Sequence, residues 1–338
     1  MATATEILTW INQRFELVLP LPHAQLYQGV VFGARVAWEP SLRHLFEVMG
    51  IQHIFSASGF NISVVSQLVK RIIAQKVSPS LEASWILAVA GLYTWLLGFP
   101  PSLVRALGML AYSLLARLFL RRQSRPLAAL IITTLALLAA CPALVTSVSY
   151  QFSAAATLGI VLFSPLMNHA GGLVFTTEQS SRVVPDAILQ TQRRLTSLVR
   201  SIFVDGLLLS VSAQLLTVPL SMYYFEQVAT LSLLANLCLF WLIPILFIVG
   251  SIGGVLLMIS YFLGLPSHLV VIISAGLYAP AEFFFELLRP FQAREATLLS
   301  AHIDIWQFAI WCAAVMVVYS WWQGRVRFRP NYLTINAI

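Results

Sequence analysis

LSLLANLCLFWLIPILFIVGSIGGVLLMISYFL, residues 231–263, runs for more than 30 residues without one charged side chain. About 20 such residues already cross a bilayer as a helix. The run is therefore too long for one upright span. A kink or break is expected at Pro244 or in the region 250–254, because proline removes a helical hydrogen bond and glycine weakens the helix. A tilted helix plus a separate half-helix accounts for the length. Gly250 and Gly254 form a small-xxx-small pair, the pattern that lets membrane helices approach closely.

The remainder of the chain is of the same kind. Of its 338 residues, 59% are hydrophobic and 10% charged, against about 25% charged in soluble domains. Mean hydropathy is +0.84. There is too little polar surface to wrap a soluble globule, so a soluble enzyme and a disordered chain are both excluded. The apolar segments run continuously and do not alternate, which argues against a membrane β-barrel. The fold class that remains is all-α: a polytopic helical membrane bundle of about nine transmembrane helices, some broken or re-entrant. Nine stretches read as spans: 51–73, 84–99, 102–120, 127–140, 150–167, 202–225, 231–263, 269–288 and 303–322.

Two regions flank this core of 51–322, and a linker lies within it. Residues 1–50 read as an amphipathic, interfacial N-terminal region, with a short amphipathic helix at 5–16. An apolar segment at 17–34, interrupted by Pro20, Pro22 and His23, is interfacial or re-entrant. No basic region precedes an apolar core, so the start does not resemble a signal peptide. Residues 168–202 form a polar linker, and apolar positions recur at helical spacing over 186–203, as in a helix lying on the inner membrane face. Residues 323–338 are a basic cytoplasmic tail.

Charge fixes the orientation. Loops 70–76, 121–125 and 182–200 and the tail at 325–329 hold 13 of the 20 Lys and Arg residues, and the opposite side holds five. Basic residues collect on the cytoplasmic side, so the N-terminus lies outside and the C-terminus inside. The net charge of +7 is then ordinary membrane orientation and no argument for an anionic partner. Cys141, Cys238 and Cys312 are far apart and lie in or beside apolar runs, as small buried hydrophobes rather than a disulfide or metal framework.

The sequence has no zinc-protease, phosphate-loop, dinucleotide or nucleophile-elbow motif. The six histidines show no metal-ligand spacing, and no cofactor or metal is implied. What could carry function is polar residues inside spans, which are costly in lipid and normally face a bundle interior or a wet cavity. The densest cluster is His53, Ser56, Ser58, Gly59 and Asn61. Two readings stand for it. The small residues permit local unwinding, so that half-helix ends present N–H groups to an anion; or the serines bond back to helix carbonyls and Gly59 serves packing. Arg105 lies one turn into the third span, either lining a passage for negative charge or snorkelling to the outer interface. Gln151, Ser153, Gln214 and Asn236 each read, taken singly, as helix–helix hydrogen bonds. Ser58 has no base near it in sequence, which disfavours a membrane-embedded hydrolase.

At these residues the chain resembles the competence domain of the ComEC family. The likeness runs through LYQGVVFG (26–33), GIQHIFSASGFNI (50–62), PSLVRA (101–106), YQFS (150–153), QLLTVP (214–219) and LANL (234–237), with Pro244 eight residues after Asn236. Order and spacing agree over about 25–265. The resemblance implies a channel component of the bacterial inner membrane that admits one strand of transforming DNA to the cytoplasm, non-enzymatic in itself. A small-solute or ion transporter using the same bundle is the alternative. By the resemblance, His53, Ser56, Ser58, Gly59, Asn61, Arg105, Gln151, Ser153, Gln214 and Asn236 line the channel or hold its fold. Asn61 stands where the family usually has histidine, so no titrating imidazole is available there. Full-length relatives also carry an OB-like and a metallo-β-lactamase-like domain, and neither fits this sequence. The implied partners are single-stranded DNA, the lipid bilayer, and a separate DNA receptor, nuclease and ATP-driven motor, with a homo-oligomer retained as an option.

The orientation is directly testable. A reporter active only in the cytoplasm, fused after Arg329, is expected to be active; extracytoplasmic behaviour would overturn the assignment.

Overall fold

The computed structural model describes residues 3–34, 36–73, 76–119, 124–175, 206–292 and 298–325, with side chains for all of these except 165–175 and 323–325. Apart from one pair of two-residue strands, the regular structure among them is helical. The linker helix expected over 186–203 and the basic tail after Arg325 lie outside the described residues.

The N-terminal helix α1, Ala4–Val18, starts at a capping box: the Thr3 hydroxyl accepts from the Glu6 N–H, and the Glu6 carboxylate accepts from the Thr3 N–H. Helix α2, His23–Phe32, follows Pro20 and Pro22 and ends on Gly33, whose φ of 60° is the left-handed conformation that closes a helix. Eight of its ten residues are buried, including Leu26, Tyr27, Val30 and Val31. The segment 17–34, too interrupted to be a span, thus contributes the most enclosed helix among the described residues. It packs against α1, against α11, Leu242–Leu263, and against α12, Ser267–Gln292. With α3, Pro40–Val48, these elements share one large core around Phe15, Phe46, Leu246, Leu277 and Phe284.

A second core joins α4, Gly59–Ile73, α5, Pro79–Leu96, and α6, Pro101–Phe119. Proline opens α5, α6 and α7, Pro126–Ala140, where the missing N–H would have no helical acceptor in any case. At one end of this group Arg117 bonds Glu82 at 2.8 Å. The third group is α8, Val148–Phe175, α9, Gly206–Phe225, and α13, Ile305–Arg325. Strands β1, Gln227–Val228, and β2, Leu299–Ser300, pair antiparallel with Gln227 opposite Ser300 and clip the ends of α9 and α13 together.

Among the described residues, five helices are long and apolar enough to cross a membrane: α6, α9, α11, α12 and residues 305–322 of α13. α7 and residues 148–164 of α8 are shorter apolar helices. The chain is a multi-pass helical membrane protein. Large apolar side chains on the outer faces, such as Ile131 and Leu135 of α7 and Trp306 and Val317 of α13, are what lipid contact requires.

Two expected spans differ from the sequence reading in form. The first, 51–73, is not one helix: a 3₁₀ turn, Gln52–Phe55, is followed by an extended Ser56 and only then by α4. The run 231–263 divides into α10, Ser232–Leu239, and α11. The interruption falls at Phe240 and Trp241, not at Pro244 or the glycines. Proline acts on the carbonyl four residues before it, and that carbonyl belongs to Phe240. Pro244 itself sits in the first turn of α11, where its lack of N–H is harmless. Of the two glycines, Gly250 serves close packing: a methyl group on it would lie 2.5 Å from Tyr27 Cδ1 of α2, whereas one on Gly254 would meet Phe15 of α1 at 3.4 Å, an ordinary contact.

The most extensive helix pair is α8 with α9. At its centre a side-chain carbon on Gly159 would overlap the Ser212 carbonyl oxygen. Gly159→Ala is expected to destabilise the detergent-solubilised protein by about 1–3 kcal/mol, seen as a lower thermal unfolding midpoint. Gly91→Ala, with open space beyond the α-carbon, should not lower it.

A broken helix and a buried arginine as the candidate functional site

The interruption at 56–58 is held by side chains from three directions. Ala57 is buried, and its carbonyl accepts from Ser102 Oγ of α6 at 2.7 Å. Gly33 lies against its amide: a methyl on Gly33 would be 2.6 Å from Ala57 N. Beyond the break, Ser58 O accepts the Asn61 N–H at 3.0 Å and starts α4. Gly59 faces Ala106, with space for a methyl only at 3.2 Å. One element of each reading is present: the backbone is unwound at Ser56 to Ser58, and Gly59 packs on Ala106, whereas neither serine hydroxyl bonds back to a helix carbonyl among the described residues.

Asn61 is buried at the start of α4. Its Nδ2 donates to Val30 O of α2 at 3.3 Å and to the Tyr93 hydroxyl of α5 at 3.0 Å. The Tyr93 hydroxyl in turn donates to Val31 O at 2.6 Å. Asn61 and Tyr93 thus cap the C-terminus of α2, where the last carbonyls of a helix have no partner of their own.

His53 and Ser56 are exposed, and His53 Nδ1 lies 2.9 Å from Gly50 O. Ser56 opens on a cleft of about 930 Å³ whose walls include Trp38, Arg43, Gln52, Ser102 and Ser147. The cleft lies between the break and the connection from α7 to α8. Trp38 stands over Phe46 and Phe55, with ring centroids 5.0 and 4.9 Å apart.

One turn into α6, Arg105 is 4% exposed. Its NH2 donates to Ser153 Oγ of α8 at 2.6 Å, and its NH1 approaches Met109 Sδ at 3.4 Å. Its Nε is buried without a partner, as is the hydroxyl of Tyr150 one turn before Ser153. No carboxylate pairs with it among the described residues. Arg105 does not snorkel: the guanidinium is enclosed between α6 and α8, a costly position for a charge unless it is compensated.

Three of the remaining residues lie apart from this pair. Gln151 Nε2 donates to Val145 O at 2.7 Å and closes its own turn. Gln214 Nε2 and Asn236 Nδ2 both donate to Ser210 Oγ, at 3.2 and 3.0 Å, and Gln214 Oε1 accepts from Ser232 at 3.4 Å. This is a polar tie between α9 and α10. The structure thus brings Asn61 to the break and Ser153 to Arg105, whereas Gln214 and Asn236 form a separate group and Gln151 stands alone. Sequence reasoning passed over Tyr93, Ser102 and Tyr150. Ser102 stands beside Arg105 in PSLVRA, and Tyr150 beside Gln151 in YQFS; Tyr93 is a lone hydroxyl in an apolar span without a local signal.

These features define the class: a polytopic membrane protein whose bundle encloses a broken helix and an uncompensated cation. A family model for the Competence protein matches residues 30–325, from within α2 to the end of α13, and the chain belongs to that family. The matched region is the family's membrane domain and not a catalytic one. No curated protein and no solved structure matches the chain.

Two glycines separate strain from contact. Gly33 and Gly98 both have positive φ, but Gly98 has open space beyond its α-carbon. Gly98→Ala is expected to cost about 1–2 kcal/mol, the left-handed penalty alone. Gly33→Ala should cost clearly more, because the added methyl meets the backbone of the break. Equal losses in thermal unfolding would mean that α2 does not brace the break.

Proposed function

We propose that this domain forms the inner-membrane passage through which one strand of transforming DNA enters the cytoplasm, with its N-terminus outside and its C-terminus inside. Membership in the Competence family places the chain in competence and DNA uptake in general. The observation that carries the narrower reading is Arg105. A cation buried in a span without a carboxylate is a strong liability, and it has a purpose where an anion visits the site. The phosphates of a single strand are such an anion. Among the described residues, Arg105 Nε and the Tyr150 hydroxyl are two buried donors at this site without a partner, so a phosphate oxygen reaching them completes their hydrogen bonding.

In the packing described here α6 and α8 close over Arg105, which is a shut passage. Opening separates these two helices and exchanges Ser153 for phosphate. The cleft at Ser56 is the adjoining space, and Trp38 and Arg43 on its wall suit a base and a phosphate. No residue here is asked to break a bond. A nuclease that frees the strand, a receptor that delivers it and an ATP-driven motor that draws it inward are separate partners in this reading, and a homo-oligomer is compatible with it.

Uptake of labelled DNA into the cytoplasm, scored apart from surface binding, tests the proposal. Arg105→Ala, inserted at normal level, is expected to lower uptake by on the order of tenfold or more, the loss of a charge-assisted hydrogen bond. Arg105→Lys should keep part of the activity, because the charge stays while the fork geometry is lost. Undiminished uptake by Arg105→Ala would overturn the reading.

A further inference from the structure

An acid–base pair lies between α2 and α12, away from Arg105. His23, the first residue of α2, is 7% exposed, and its Nε2 is 2.7 Å from Glu282 Oε2. Glu282 is in the middle of α12, a helix long and apolar enough to span the membrane. The imidazole is stacked on Tyr278 at 4.6 Å and edge-on to Phe285 at 5.3 Å. Its Nδ1 is buried with no partner. Ionisable groups inside spans are rare and serve proton or ion movement more often than stability.

We infer that His23 and Glu282 together form a proton-binding site, and that its occupancy sets the position of α2 and through α2 the state of the broken helix.

The proton inventory shows why the site has two states. With its ring proton on Nε2, neutral His23 donates to the Glu282 carboxylate and leaves a bare Nδ1, so no buried N–H lacks an acceptor. The pair then carries one negative charge inside the membrane domain, which lipid penalises. One added proton removes that charge. It goes to Nδ1, giving an imidazolium with a carboxylate, or to the carboxyl oxygen. A carboxylic acid donating to Nε2 requires the ring proton to move to Nδ1. A carboxylic acid facing Nε2–H loses the ring's hydrogen bond to a charged acceptor. Every protonated form therefore either places an N–H on buried, unpartnered Nδ1 or weakens the bond at 2.7 Å. Net charge favours uptake of the proton and hydrogen bonding in this packing opposes it. Costs of opposite sign in one place make a switchable element.

Two groups of α12 act on the pair itself: Tyr278 stacks on His23 and its hydroxyl interacts with the Glu282 carboxylate, and Arg289, which pairs with Glu286 at 2.9 Å, adds its charge. The remaining charged or titratable groups near α2 are engaged elsewhere. On α1, Arg14 sits over Trp10 and Tyr261, and Glu16 accepts from Gln28. Tyr27 of α2 donates to Leu277 O of α12. His53, in the 3₁₀ turn beside α2, holds Gly50 O.

α2 connects the two places. Its first residue is His23; its last carbonyls, of Val30 and Val31, accept from Asn61 and Tyr93; and Gly33, which ends it, lies on the Ala57 amide. A ten-residue helix moves as a body, so loosening His23 from Glu282 displaces the brace of the break. Acid is expected to loosen it.

The test uses the full chain in lipid nanodiscs, with Cys141, Cys238 and Cys312 changed to serine and a nitroxide on Ser56→Cys. Infrared difference spectra between about pH 5 and 8 should show the added proton, as a protonated-carboxyl band if it sits on Glu282 or as imidazolium bands if it sits on His23. The nitroxide should become more mobile on acidification with the same midpoint. Glu282→Gln and His23→Gln are each expected to remove this signal or shift its midpoint, and to change the pH response of the label with it. A wild-type protein in which acid changes neither carboxyl nor imidazolium bands, or bands left unchanged by both Glu282→Gln and His23→Gln in folded protein, overturns the site. A band that titrates while the label stays unchanged overturns the connection to the break. Neither readout involves DNA, so failure of the passage proposal leaves this one standing.

Discussion

Inside a bilayer every backbone N–H and C=O must find its partner within the protein, and this constraint is most demanding where α2 ends beside the break before α4. Four carbonyls at the C-terminus of a helix have no helical donor. Here Gln28 O and Gly29 O take the N–H groups of Ala34 and Gly33, Val30 O takes Asn61, and Val31 O takes Tyr93. On the other side of the gap Ser102 serves Ala57 O. Side chains from α4, α5 and α6 are therefore committed to irregular backbone, which ties the large N-terminal core to the second group of helices.

Much else follows from this tie. α2 has to be buried so that its end can reach Asn61, and Gly250 on α11 gives it room by leaving Tyr27 and Val31 unobstructed. Ser102, fixed on Ala57, sets the rotation of α6. That rotation turns Arg105, three residues on, toward α8 and not toward the break. The broken helix and the buried cation are thus neighbours by construction, and the cleft at Ser56 lies where their helices part.

The sequence was informative about some of this and silent about the rest. The weakness of residues 56–58 was legible, since serines and a glycine in an otherwise apolar span favour unwinding. So was the division of the run 231–263, although its position was not: proline disrupts the turn before it, and Phe240 carries no mark of that. Arg105 could be singled out as a charge in a span, but enclosure and snorkelling look identical in one dimension. Gln214 and Asn236 were grouped with the others only by type and by resemblance; the structure sets them on a separate tie between α9 and α10.

By itself the sequence determined that the chain is a helical membrane protein, because 59% apolar residues in continuous runs admit no other solvent and no other regular structure. It also determined which polar residues lie within the apolar segments, because those are visible against a background that excludes them. Only the tertiary structure decided which of them meet. His23 and Glu282 are separated by 259 positions, and Arg105 and Ser153 by 48. Hydrogen bonding acts over about 3 Å, and such distances are set by helix packing across the bundle, where separation along the chain carries almost no information about separation in space.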